Sequence, residues 1–486
     1  MRALGAALLA MTLLAGCAVG PDYKRPTVAD PQVFRGQPSP EATSLADLPW
    51  WEAFQDPVLK DLIREALASN YSVQIAAARV REARAHVGEA QSKFFPWIGY
   101  GFTAQDQRNG IATQLGLNST SGPQAQQLYA GVLAMSWEMD LWGRIRRSTE
   151  AAQANLLATA DAQRGVLLSL VSDLAQAYFE LLALDVNLQI ARNSTDAFQS
   201  TYNLFKDRLQ YGVASELQTS RAQGSLGAAQ ATIPEVEAKI AAKENQICIL
   251  LGRTPGPIPR GTPMYDQPVT PTVPAGLPSA LLERRPDLRQ AEQEMVRANA
   301  LVGVAKADFF PKLNLTALLG TASPELAAVT HGASLVWAAG AGLAGPIFQG
   351  GRILENYRAH VAQWEQTKFE YEQAVLTALR EVSDALTVLA KLTQAEAAQA
   401  TSVKGLEEAV SHANDRYLYG LSSYYEVLDS EQQLFPAQNK LAQIRRDRLL
   451  AYVQLYKALG GGWNLTDEQW SDQQQQQPPP EKKSGG

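Results

Sequence analysis

Two periods alternate along this chain. Over residues 97–106 apolar side chains fall on every second position, with Ile98, Tyr100 and Phe102 on one face and Gly99, Gly101 and Thr103 on the other. A period of two is that of a β-strand. Residues 127–138 repeat the pattern with Tyr129, Leu133, Met135 and Trp137 on one face. It returns at 312–321, where Leu313, Leu315 and Leu319 alternate with Asn314, Thr316 and Gly320, and at 334–345, where Leu335, Trp337 and Leu343 share a face. Elsewhere the period lengthens. Leu167, Val171, Leu174, Tyr178 and Leu181 step by four and three, as do Val375, Leu379, Val382, Leu386 and Leu389. Such a seam packs one long helix against another. Long helices are predicted over 144–251 and 352–459, each folded back at a turn. Cap-type residues at Asn193-Ser194-Thr195 and Thr401-Ser402 predict a break half-way, with a belt of shorter elements around the middle.

The chain is one unit written twice. Phe94-Phe95-Pro96 recurs as Phe309-Phe310-Pro311 and Val87-Gly88 as Val302-Gly303, both at an offset of 215. Gly143-Arg144-Ile145 recurs as Gly351-Arg352-Ile353, Arg208…Tyr211-Gly212 as Arg416…Tyr419-Gly420, and Leu251-Gly252 as Leu459-Gly460, all at 208. The single shift of seven lies between Pro96 and Gly143, where the polar loops between the strands differ in length. The repeats are read as 61–252 and 286–462, joined by a linker, 253–285, whose prolines exclude regular helix over most of its length. The tail, 463–486, with its Gln and Pro runs, is read as disordered.

The strands are near the length of a tilted membrane strand, about 9–11 residues. Trp97, Tyr100, Tyr129, Trp137 and Trp337 lie toward their ends, as interfacial girdles do. A soluble sheet with one wet face fits the strands taken alone. The N-terminus favours a membrane. Residues 1–16 read as a signal peptide, and Leu14-Ala15-Gly16-Cys17 resembles a lipobox that would lipidate Cys17 at the head of a segment, 17–60. Four strands cannot close a barrel, because the smallest need about eight. An edge open to lipid would leave backbone groups unpaired, so a barrel here needs several chains. The distance from Gly143 to Gly212, 69 residues, recurs from Gly351 to Gly420. As continuous helix it would reach about 100 Å.

Composition removes other classes. The 46% apolar content of the 486 residues excludes wholesale disorder, and a net charge of -6 argues against a nucleic-acid footprint. Two cysteines exclude a disulfide framework, and Cys248, in an apolar helical context, reads as a small core residue. Four scattered histidines (His86, His331, His360, His412) leave little for a metal site. Gly340-Ala-Gly342-Leu-Ala-Gly345 fits a dinucleotide fingerprint, but Pro346 forbids the opening helix that motif needs. These glycines read instead as a barrel strand where backbones crowd. No Walker loop, H-E-x-x-H or G-x-S-x-G occurs, so neither an enzyme site nor a cofactor or metal is expected.

Several runs together resemble the TolC/OprM-type outer-membrane efflux protein family, in its lipoprotein branch serving tripartite exporters. They are Cys17–Pro26, Trp50-Trp51, Asp140–Arg144, Leu281–Pro311, Gly345–Arg352 and Glu381–Ala385. The resemblance implies a mixed α and β membrane protein of a Gram-negative outer membrane, lipid-anchored, with a large periplasmic portion. A homotrimer would form a 12-stranded β-barrel continuous with a 12-helix α-barrel tunnel. Its implied partners are a periplasmic adaptor, an inner-membrane RND-type pump and outer-membrane lipid. Its implied role is a passive exit duct for drugs or other small molecules.

In that family the tunnel narrows at the periplasmic helix turns. The resemblance puts Asp429 in a constricting ring, Tyr425 one turn above it, and Arg416 and Tyr417 as tethers. Gly212, Val213, Ser215, Gly420, Leu421 and Ser422 would meet the adaptor. Position 221, aligned with Asp429, is Arg and departs from a purely acidic ring. Two other readings stay open at this point: an adhesive or structural surface lipoprotein with a coiled-coil stalk, and the exit duct of a protein-secretion system.

Overall fold

A computed structural model describes residues 18–28, 31, 33–35, 45, 49–107, 126–268 and 278–461. Cys17, the signal segment, most of the loop after the first strand and the Gln/Pro tail lie outside the described residues. The chain divides into two compact units.

The first unit draws on the described parts of Met1–Thr27, Arg79–Ala160 and Gln290–Tyr371. Its centre is an antiparallel sheet of β1 (Trp97–Gln107), β2 (Gln126–Met139), β3 (Lys312–Ser323) and β4 (Leu335–Ala344), in the order β1-β2-β3-β4. Directly opposed residues of an antiparallel pair share a face. Ile98 opposes Met135 and Tyr100 opposes Leu133; Leu133 then opposes Leu319, and Trp137 opposes Leu315. Leu319 opposes Trp337 and Leu313 opposes Leu343. The apolar sets of all four strands therefore lie on one continuous face. The other face carries Thr103, Gln105, Ser136, Glu138, Asn314 and Thr316. Tyr100, Phe102, Trp337 and Leu343 stand exposed on the apolar face. An exposed apolar surface of that extent suits lipid. The connection between β3 and β4, residues 324–334, is seven residues shorter than that between β1 and β2, and it holds two short 3₁₀ turns.

Crowding is found at one of the three fingerprint glycines, Gly345, and not at Gly340 or Gly342. A Cβ on Gly342 would meet nothing within 4 Å, and one on Gly340 would reach only Thr316 Oγ1 at 3.8 Å. Among the described residues both lie on an edge strand with no neighbour on one side, whereas at Gly345 a Cβ would strike Pro311 at 2.9 Å.

The run Asp140–Arg144 ties the sheet to the next helix. Asp140 accepts from the backbone N–H groups of Ile145 and Arg146, both at 2.9 Å, and so caps α3 (Arg144–Gln210). Trp142 stacks on Phe310 at 4.6 Å and donates from Nε1 to the Pro311 carbonyl. The residues just after Cys17 are strapped to the same place. Val19 N–H donates to the Trp142 carbonyl, and Arg147 donates to Asp22 at 2.7 Å. Glu292 accepts from Tyr23 and Arg25.

The second unit draws on the described parts of Val28–Ala78, Asp161–Arg289 and Glu372–Gly486. It holds the distal part of α3, α4 (Glu216–Leu250), most of α6 (Arg352–Leu418) and α7 (Tyr424–Ala458). The helices do not break where the cap-type residues stand: α3 and α6 are continuous over 67 residues each. The hydroxyls turn inward instead. Thr195 Oγ1 donates to the Ala191 carbonyl and Thr401 Oγ1 to that of Ala397, four residues back, while Asn193 Oδ1 accepts from Gln189. The shorter elements come from outside the long helices. They are α1 (Pro57–Ser69) and the linker stretch 253–268.

Asp56 organises them. Its buried carboxylate accepts from Val58 and Leu59 N–H at the start of α1, from Tyr178 on α3, and from Thr262 and Gln267 in the linker. Arg445 of α7 clasps the linker from the other side through the carbonyls of Tyr265 and Gln267. On the seam, Val171, Leu174, Tyr178 and Leu181 are fully buried, as are Val375, Val382 and Leu389. Leu167, Leu379 and Leu386 are half-buried. One stretch of α3 is long and apolar enough to cross a membrane, but most of it is buried in this packing. Cys248 is buried, its Sγ 3.3 Å from the Gly256 carbonyl.

The repeat also governs helix ends. Asn70 accepts from Ser72 N–H at the start of α2 (Tyr71–Ser92) and donates to the Leu250 carbonyl at the end of α4. One side chain thus joins two helix termini. At the aligned place Arg285 donates to the Ala458 carbonyl while Asp287 accepts from Leu288 N–H at the start of α5 (Pro286–Ala307). Burial alone would raise the Asp287 carboxyl, yet the Arg285 guanidinium holds it below its ordinary range.

Candidate constriction at the helix turns

Each pair of long helices reverses in five residues. Gly212 and Gly420 take φ of +70° and +71°, a conformation open to glycine without a Cβ penalty. Val213 N–H reaches back to the Arg208 carbonyl and Leu421 N–H to that of Arg416, so both helices end in the same motif. The restarts differ. Ser215 and Gln218 form a complete capping box on α4. Ser423 caps α7 with no side-chain bond, and the residue aligned with Gln218 is Glu426, which pairs with Arg416 at 3.3 Å.

Beneath the turns lies an aromatic core of Phe205, Ala222, Ala413, Tyr424 and Val427. Tyr424 meets Phe205 and Tyr417 edge-on at 4.9 Å each, and its hydroxyl bonds Thr201 Oγ1. Desolvation by burial pushes the Tyr424 phenol up to about 12, even though the Thr201 bond lowers it. Arg208 lies over the Tyr417 ring at 4.9 Å. One heptad beyond Tyr424, Glu431 is buried with Oε2 unpartnered, and burial lifts its carboxyl to about 7.

The candidate gate residues divide between two surroundings. Tyr417 belongs to the aromatic core, half-buried. Asp429, Tyr425 and Arg416 are exposed, and Asp429 accepts from Gln433 at 2.7 Å. Arg221, aligned with Asp429, is also exposed, and each is the sixth residue of its helix. Of the candidate adaptor contacts, Gly212, Val213, Ser215, Gly420 and Leu421 are exposed, while Ser422 is partly buried. Tyr211, Leu217, Leu418 and Tyr419 extend an exposed apolar surface around both turns. Sequence reasoning did not single out Thr201, Tyr424 or Glu431, and it named Arg208 only as a marker of the repeat. The spacing of Tyr424, Val427, Glu431 and Leu434 by three, four and three is the signal that could have shown the buried stripe. No group of three His, Cys, Asp or Glu poised for a metal occurs among the described residues.

Comparison with known proteins gives consistent matches. The family described as "Outer membrane efflux protein" matches residues 62–253 and 277–461. The toluene efflux pump outer membrane protein TtgF of Pseudomonas putida is 34% identical over 467 residues, covering 94% of this chain and 96% of that protein. The probable outer membrane lipoprotein SilC of Salmonella typhimurium is 31% identical over 456 residues, covering 93% and 97%. The open-state crystal structure of the Neisseria gonorrhoeae MtrE outer membrane channel superposes with a TM-score of 0.83 at 29% identity, covering 92% and 99%.

Proposed function

This chain belongs to the outer membrane efflux protein family and is an outer-membrane efflux channel, and from that premise we propose that three copies close one tube. The observation that carries the reading is the sheet. Among the described residues it has four strands, an exposed apolar face, and two edges, β1 and β4, with no neighbour. In lipid those edges need partners, and three sheets supply enough strands for a closed barrel. A stalk used only for adhesion has no need of such a sheet.

The helix turns are the entrance in this reading. The apolar surface of Tyr211, Val213, Leu418, Tyr419 and Leu421 suits a periplasmic adaptor, which would couple the duct to an inner-membrane pump. Asp429 and Tyr425, each repeated by three-fold symmetry, make a narrow ring there, with Arg416 and Tyr417 restraining the turn. Arg221 gives the ring a basic component beside the carboxylates. A ring of charge in a narrow channel selects ions and resists their passage. The lumen conducts passively what the pump delivers. Cys17, acylated, anchors the chain to outer-membrane lipid.

Purified protein in planar bilayers tests this. A small, mostly closed conductance is expected, rising in Asp429→Ala with Tyr425→Ala. Absence of conductance in every variant would overturn the duct. Cys17→Ser is expected to abolish globomycin-sensitive maturation, and unchanged processing would overturn the lipid anchor.

A further inference from the structure

The internal repeat specifies how one copy meets the next. In β1·β2 the numbers of opposed residues sum to 233, as in Trp97 with Ser136. In β3·β4 they sum to 656, as in Lys312 with Ala344. The difference, 423, is the two repeat offsets, 215 and 208, taken together. The repeat thus carries one strand hairpin onto the other with no slip. The junction between the hairpins, β2·β3, has opposed numbers summing to 452. Moving β2 forward by 208 gives β4, and moving β3 back by 215 gives β1. The same junction then falls between β4 and β1, which cannot meet within one chain, because β2 and β3 separate them.

We propose that β4 of one copy pairs antiparallel with β1 of the next, with opposed residue numbers summing to 445. Phe102 then faces Leu343, Thr103 faces Gly342, Ala104 faces Ala341 and Gln105 faces Gly340. This rests on the trimeric reading above and adds its register. Three features support it. Parity is preserved: Leu343 and Phe102 both lie on the apolar face, and Gly342 and Thr103 both lie on the polar face, although a one-residue slip would have crossed them. The residues that would be covered are exposed: Leu343 at 66%, Phe102 at 84%, Ile98 at 66% and Ile347 at 103%, with Ile347 and Ile98 themselves opposed in this register. The space at Gly340 and Gly342, unfilled within the chain, takes the Gln105 and Thr103 side chains of the neighbour. The pairing also differs from its template. Gln105 stands where β3 has Gly320, whose missing Cβ lets the Gly131 carbonyl approach a Cβ position to 2.2 Å. That pinch cannot recur with glutamine, and glycine at 340 in place of Val132 gives the longer side chain room. The contact is head-to-tail, so it closes a ring rather than a two-fold dimer.

Cysteine pairs in the full-length protein, with Cys248→Ser, test the register in outer membranes under mild oxidation. Directly opposed Cβ atoms lie about 4.5–5.5 Å apart and diagonal ones about 7–8 Å, and a disulfide tolerates only the former. Gly342→Cys with Thr103→Cys is expected to give reducible dimers and closed trimers. Gly342→Cys with Gly101→Cys, or with Gln105→Cys, is expected to give several-fold less. Stronger cross-linking of a shifted pair would overturn the register, as would dimers from either single variant. No cross-link in any pair, with the trimeric mass retained, would overturn the β4-to-β1 contact. Loss of the trimer even in the unsubstituted protein would refute the trimeric reading itself.

Discussion

Replacing Glu431 by Gln isolates one charge in the core of the second helix turn. Glu431 is 7% exposed, and its Oε2 has no hydrogen-bond partner. Burial is the cause that moves this carboxyl, and no cation offsets it among the described residues. The apolar clusters of the turn draw Phe198, Tyr202 and Phe205 from α3, Ala222 and Leu226 from α4, Tyr417 from α6 and Tyr424 from α7. Arg208 is engaged over the Tyr417 ring. Burial lifts the carboxyl from an ordinary 4.5 to about 7. Below the ordinary value the group is neutral whether packed or hydrated, and the packed turn keeps its full stability. Between pH 4.5 and 7 the packed form holds a proton that the hydrated form releases, so stability falls as pH rises. Above 7 the loss levels off. That lift corresponds to about 3.4 kcal/mol at most. Hydrogen exchange over residues 417–434, corrected for the intrinsic rate at each pH, reads this as an opening free energy. The wild-type protein should lose protection from pH 5 to pH 8, and Glu431→Gln should remain flat near the low-pH level. Equal pH slopes in the two proteins would refute the reasoning.

The aromatic core, and not the surface ion pair, should hold the same turn. Tyr424→Ala is expected to cost about 3–5 kcal/mol of local stability, whereas Arg416→Ala, at a pair half-exposed on both sides, should cost under about 1 kcal/mol. Exchange at residues 419–423 ranks them, and the opposite order would contradict the packing argument. Asp56→Ala removes a helix cap, leaves Thr262 N–H without its acceptor and leaves the Gln267 amide only the Thr262 carbonyl, for about 3 kcal/mol. The unfolding midpoint should drop and residues 253–268 should become protease-sensitive; an unchanged midpoint would refute the role given to this carboxylate.

The faces of the sheet were legible because a strand's period of two leaves no ambiguity once Ile98, Tyr100 and Phe102 alternate with Gly and Thr. The duplication, read from motifs as short as Phe-Phe-Pro, carried through to hydrogen-bond register. The continuity of α3 and α6 was not legible. Asn, Ser and Thr at 193–195 look like caps in one dimension, and only the helix itself supplies the carbonyls four residues back that absorb them. Crowding at Gly340 and Gly342 was misplaced for a related reason: both lie on β4, an edge of the sheet among the described residues, and a pattern of glycines does not tell an edge strand from an inner one. At the turns, Asp429 and Tyr425 were named from resemblance, while the buried stripe through Tyr424 and Glu431 carries a charge that no apolar pattern marks.

Each chain supplies one part of the proposed wall. Native mass spectrometry of the full-length protein, extracted in mild detergent, measures that directly. Assemblies of three chains are predicted. Single chains that keep an ordered four-stranded sheet with protected β1 and β4 edges would contradict it.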